Sequence, residues 1–148
     1  MISRYEQFSF VISGIYRYIQ KIERDEMEKF GYKGAYAQYL AALYRFPEGL
    51  TSVQLSEICD RDKAAVSRVT AEMEEKGLLV RDDAPYRAKL RLTDRGREVS
   101  RFVQERGQKA VEAAGCDLSD EDRRIIYALL DSISARLEAI SRDGLPEE

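Results

Sequence analysis

The chain has 148 residues, a length that fits one compact domain, with 44% hydrophobic and 34% charged residues, 3 prolines, 9 glycines and a formal net charge of −3. It contains no histidine and only two cysteines, Cys59 and Cys116, which leaves no material for Ser-His-Asp or Cys-His catalysis, a histidine zinc site or a disulfide framework. No apolar run approaches the ~18 residues of a membrane span, and Met1–Gln7 lacks the basic-then-apolar pattern of a signal peptide, so a cytoplasmic protein with no membrane partner is expected.

From about Ile2 to Glu28 the sequence predicts a long helix, with Phe8, Ile12, Ile15, Ile19 and Ile22 recurring at steps of four and three. Gly31 and Gly34 punctuate the next stretch, and a second helix runs from about Ala35 to Phe46, ended by Pro47-Glu48-Gly49. Thr51-Ser52-Val53-Gln54 has the form of a capping box; it opens a short helix to about Cys59 whose inner face carries Leu55 and Ile58. After the turn Asp60-Arg61-Asp62, Asp62 is placed to cap a third helix by accepting a hydrogen bond from the amide of Ala65. That helix runs to Lys76 and stops at Gly77. Two helices joined by about three residues form a helix-turn-helix pattern.

Beyond Gly77 the period becomes alternating. Leu78–Arg81 reads as one strand and Arg87–Leu92 as another, with Asp82-Asp83-Ala84-Pro85-Tyr86 as the hairpin between them. Thr93 caps a long helix from Asp94 to about Ala114, Gly115-Cys116-Asp117 breaks it, and Ser119 starts a last helix with Ile126, Leu130, Ile133, Leu137 and Ile140 on one stripe. The expected fold is mostly α with a small β-hairpin wing (α+β): a winged helix-turn-helix over residues 35–97, long terminal helices in 1–30 and 112–148, and a connecting helix over 94–114, all within one domain, 1–148.

The negative net charge is unevenly spread. Between Pro85 and Arg101 six bases oppose two acids, while between Glu112 and Glu148 four arginines face ten acids. Phosphates respond to the local field rather than to the total. On the helix after Asp62, Val66, Val69, Thr70 and Met73 point inward by helical spacing. The opposite face carries Ala64, Ser67, Arg68 and Ala71, with Lys63 at its margin. Small residues let a helix approach the floor of a major groove ~12 Å wide, and Arg68 is long enough to reach a guanine edge or a phosphate. Glu72, Glu74 and Glu75 lie toward the other end, so the N-terminal half is expected to enter the groove, as the helix dipole also favours. Arg87, Lys89 and Arg91 stand on one side of a strand at a spacing of ~6.5–7 Å, close to that of successive phosphates. Ser52, Lys63, Ala64, Ser67, Arg68, Arg87, Lys89 and Arg91 are therefore the candidate contacts to double-stranded DNA.

Together these segments resemble the MarR family of bacterial and archaeal regulators. The resemblance rests on Leu50-Thr51, Leu55-Ser56, Asp62-Lys63-Ala64-Ala65-Val66-Ser67-Arg68, Met73-Glu74-Glu75-Lys76-Gly77-Leu78, Arg81-Asp82-Asp83 and Arg87–Gly96. It implies a transcription regulator, not an enzyme and without a cofactor. In this family the terminal helices interlock into a homodimer that holds two winged domains over a pseudo-palindromic operator, and repressors released by a small molecule are frequent. Family effectors are often small aromatic or phenolic compounds held between the dimer region and the winged domain; Tyr16, Tyr36 and Tyr39 lie on the elements that would line such a cleft, with packing into the core the preferred reading for them. Ala64 and Ala65 stand where relatives often carry Ser or Thr, which shifts base readout toward Ser67 and Arg68, and Ser56 replaces a frequent alanine. Redox response through Cys116 or Cys59 and a protein-binding adaptor role are the alternatives; peroxide-sensing relatives carry their reactive cysteine in the first helix, where this chain has none.

Overall fold

The structure, a computed structural model, describes residues 1–147. In chain order it contains α1 (Arg4–Lys29), α2 (Tyr36–Arg45), β1 (Leu50–Thr51), α3 (Ser52–Cys59), α4 (Lys63–Glu75), β2 (Leu79–Arg81), β3 (Lys89–Leu92), α5 (Asp94–Ala114) and α6 (Asp120–Asp143). The class is the expected one, a mostly helical chain with a small antiparallel sheet arranged as a winged helix-turn-helix. The chain divides into two compact units, Met1–Lys109 and the residues from Ala110 onward, with the boundary inside α5. No described helix is long and apolar enough to cross a membrane.

The helix starts follow local chemistry. Ser3 and Glu6 form a reciprocal capping box that fixes the start of α1 at Arg4. Thr51 and Gln54 do the same for α3, with the Gln54 amide donating to Thr51 Oγ1 at 3.2 Å. Asp62 Oδ1 accepts from the Ala65 amide at 2.7 Å, and Ser119 Oγ accepts from the Asp122 amide at 3.0 Å. Each cap satisfies a donor that the helix itself leaves unpaired, worth about 1 kcal/mol apiece. α4 ends at the left-handed Gly77, φ +73°.

The sheet and the helix α3 beside it differ from expectation in three ways. Its order is β1-β3-β2, so the two residues Leu50-Thr51 add a strand that pairs with Leu90 and Lys89. That makes β3 the central strand. Second, β3 begins at Lys89, and Arg87 lies outside it at φ +53°, in a left-handed turn that no strand residue adopts. The three-base ladder expected on one strand is thus Lys89 and Arg91 alone. Third, Ile58 is 50% exposed, because eight residues of α3 give it one buried position, Leu55.

The core of the first unit lies around α2. Tyr36, Tyr39, Leu40 and Leu43 meet Met27 of α1, Leu55 of α3, Val66 and Met73 of α4, Leu90 of the sheet and Val99 of α5. Full burial of each such aliphatic side chain contributes about 1.5–3 kcal/mol. Thr70, the polar residue on the inner face of α4, satisfies its hydroxyl by donating to the Val66 carbonyl at 2.8 Å. A buried carboxylate, Glu26, ties α1 to α5 through Arg106 Nε at 3.0 Å and also accepts from Lys29 Nζ at 3.0 Å. Outside this core, Phe8, Ile12 and Ile15 of α1 are exposed, and α6 has no buried residue at all.

Candidate nucleic-acid interface

With Val66, Thr70 and Met73 buried, helical geometry forces Lys63, Ala64, Ser67, Arg68 and Ala71 to solvent, and all five are exposed. Val69, expected inward, is half-buried. Among the described residues no ion pair engages Lys63 or Arg68, and no hydrogen bond holds the Ser67 hydroxyl. Their donors are thus available to an outside acceptor.

The acids at the other end of α4 are tied back into the protein. Glu72 Oε2 accepts from Lys33 Nζ and from the Tyr36 hydroxyl, both at 2.9 Å, and Glu74 Oε1 accepts from Arg81 at 3.1 Å. The Lys33 bond, followed by that of Tyr36, holds the Glu72 carboxyl below its ordinary range. Burial, reinforced by Glu72, pushes the Tyr36 phenol up to about 12. Two of the three negative charges that would repel phosphates are partnered, Glu72 by Lys33 and Tyr36 and Glu74 by Arg81. No local sequence signal marks the pairing of Glu72, since Lys33 and Glu72 are 39 residues apart.

Ser52 opens α3 on the side of the wing. Thr51–Gln54, Arg81 and Tyr86–Ala88 line one open groove of about 550 Å3, so Ser52 and Arg87 share a surface. The hairpin is closed by Asp82: its carboxylate accepts from the amides of Lys89, at 3.1 Å, and Ala84, at 3.4 Å, while its own amide donates to the Lys89 carbonyl at 3.0 Å. Lys89 and Arg91 alternate with buried Leu90 and Leu92, as the sequence pattern required. Arg91 is not free, because its Nε donates to the Glu48 carbonyl at 3.1 Å. Among the described residues, Arg87 and Lys89 are the cations of the wing whose side chains make no ion pair or hydrogen bond.

The three tyrosines do not share a cleft. Tyr16 is 63% exposed on α1. Tyr36 is fully buried and turns its hydroxyl to Glu72, as a buried phenol must find a partner. Tyr39 alone edges a crevice of about 380 Å3 between α1, α2 and α4, whose other walls include Gln20, Glu23, Arg24, Arg61 and Arg68. Burial raises the Glu23 carboxyl there. Cys59 is half-buried with Sγ 3.8 Å from the Gln38 carbonyl, and desolvation pushes its thiol up to about 11, which leaves it protonated and poorly nucleophilic at neutral pH. Cys116 is exposed.

A capped helix-turn-helix, an outward second helix with free donors and a basic hairpin behind it define a winged helix-turn-helix protein. Residues 30–87, spanning the helix-turn-helix and the wing up to the residue before Ala88, match the MarR family. That match covers less than half of the chain. The whole chain shares its fold with a MarR transcriptional regulator from Methanosarcina mazei at 22% identity, covering 95% of this chain and 94% of that one with a TM-score of 0.81. A MarR family regulator from Listeria monocytogenes, solved in complex with a 26mer DNA, aligns over 100% of this chain and 99% of its own at 15% identity and a TM-score of 0.75. MepR, a regulator of the Staphylococcus aureus multidrug efflux pump MepA, aligns at 20% identity over 88% of this chain and 98% of its own, TM-score 0.66. Among proteins with curated functions, none is similar to this chain in sequence.

Proposed function

We propose that this protein is a sequence-specific, double-stranded-DNA-binding transcription regulator of the cytoplasm. It acts as a homodimeric repressor on a pseudo-palindromic operator and is released by a small-molecule effector. The observation that carries the reading is the outer face of α4, where Lys63, Ser67 and Arg68 are exposed and unengaged while Glu72 and Glu74 are held internally. Arg68 and Ser67 read base edges in the major groove, Lys63 and Ser52 contact phosphates, Ala64 approaches thymine methyls, and the wing adds Arg87 and Lys89. Dimerisation uses the apolar faces that α1 and α6 leave uncovered in the single chain. The DNA complex of the Listeria monocytogenes relative supports the partner class. The crevice beside Arg68 and Tyr39 is the place for the effector, because a molecule seated there touches a base-reading residue directly.

Selection of bound duplexes from a random pool tests this reading. The expected product is a pseudo-palindrome whose half-site centres lie about one turn, ~10 bp, apart. No enrichment over the starting pool contradicts DNA recognition, and a solitary half-site contradicts the dimer.

A further inference from the structure

The wing tip carries an aromatic residue that the reading above leaves without a role. Tyr86 is 76% exposed, next to Arg87 in its left-handed turn at φ +53°. In an extended strand, neighbouring side chains point to opposite faces. The turn at Arg87 removes that alternation and brings the pair together, with the guanidinium carbon 5.2 Å from the centroid of the Tyr86 ring. Both residues line the groove that faces the first turn of α3. The ring is not needed to close the hairpin, since Asp82 does so through Ala84 and Lys89.

We propose that Tyr86 is a positioning residue for Arg87: its ring face holds the guanidinium, so the wing presents a preset cation to the nucleic acid. The proposal rests on the DNA-binding reading above. An arginine side chain on an open loop samples many rotamers and loses that freedom when it is fixed against a phosphate or in a groove. A ring that already confines it removes part of the loss before binding. The contact is electrostatic, between a cation and the negative face of the π-system, and its strength rises from Phe and Tyr to Trp. An apolar residue of similar size does not replace it.

The test is a titration of a labelled cognate duplex and a scrambled one with Tyr86→Phe, Tyr86→Trp, Tyr86→Leu, Arg87→Ala and the double variant Tyr86→Leu/Arg87→Ala. Melting of all five is expected to match the unsubstituted protein. Affinity falls in the order Trp, then Tyr and Phe together, then Leu, the last weaker by about two- to five-fold on both duplexes, the scale of an exposed cation–π contact. In the Arg87→Ala background, Tyr86→Leu costs nothing further. Equal binding by Tyr86→Leu and the unsubstituted protein overturns the proposal. So does an equal loss with and without Arg87, which would make the ring itself the DNA contact. Failure of the unsubstituted protein to bind any duplex removes the DNA-binding reading and, with it, this one.

Discussion

Gly96→Ala lowers stability by about 3 kcal/mol, the upper range for overpacking, and the melting temperature by roughly 10 °C at fixed protein concentration. Gly96 lies in the first turn of α5, where a Cβ would fall within 2.2 Å of the Leu78 carbonyl oxygen and 3.2 Å of Leu92 Cδ2. The carbonyl cannot retreat, because it accepts the Thr93 amide at 3.0 Å. Leu78 and Leu92 are themselves buried beneath the wing. The methyl would therefore push α5 away from the strand junction it caps. Gly107→Ala is the matched control. Its Cβ meets nothing within 4 Å inside the same helix, so the gain in helix propensity is expected to stabilise the chain by about 0.5–1 kcal/mol. Calorimetric melts of the two variants check both signs, and an unchanged melt for Gly96→Ala contradicts the tight packing of α5 on the wing.

Ile133→Asp is expected to dissolve the proposed dimer. Ile133 lies midway along the apolar stripe of α6 and is 38% exposed in the single chain, while Leu137 on the same stripe is 51% exposed. An aspartate there costs a lone chain little, since water still reaches it. In a two-fold interface the same substitution occurs twice, and each unpaired buried charge costs several kcal/mol. A rise of at least about a thousandfold in the dimer dissociation constant follows, about 4 kcal/mol. Sedimentation at micromolar concentration is expected to find the unsubstituted protein at twice its 17.0 kDa chain mass and the variant at 17.0 kDa, with operator affinity lost alongside. A monomeric unsubstituted protein contradicts the two-half-site reading.

The helices and their ends were legible in the sequence because capping is local. Ser119, Thr51, Asp62 and Thr93 each act on an amide three residues away, a distance that a linear reading covers. The alternation around Leu90 and Leu92 was legible for the same reason. What escaped depends on partners distant in the chain. Leu50-Thr51 is a strand only because β3 passes beside it, and two residues carry no periodicity. Arg87 fits a run of alternating bases, yet the Asp82 cap ends the pairing at Lys89 and turns Arg87 out. Core packing of Tyr36 was legible, but not the partner of its hydroxyl, Glu72, 36 residues on. Ile58 read as core because helical spacing places it near Leu55, but α3 is too short and too near the surface to bury both. In the candidate interface the exposed face of α4 followed from periodicity alone, whereas the neutralisation of its acids did not.

A salt-dependent titration of Arg68→Ala and Arg87→Ala on matched and scrambled duplexes separates base readout from phosphate contact. Arg68 projects from a rigid helix whose rotation is set by the buried residues beneath it, and its guanidinium is uncommitted. Its loss is expected to cost ~1–3 kcal/mol at the preferred site and to relax base choice at one position per half-site. On the proposed reading Arg87, on the hairpin turn, acts through phosphates or minor-groove potential, so its loss is expected to weaken both duplexes together and to flatten the slope of log affinity against log salt by about one. Equal weakening of every sequence by Arg68→Ala would make that residue a phosphate clamp and contradict its role in base readout. Unchanged binding by both variants would contradict the winged-helix account of DNA recognition itself.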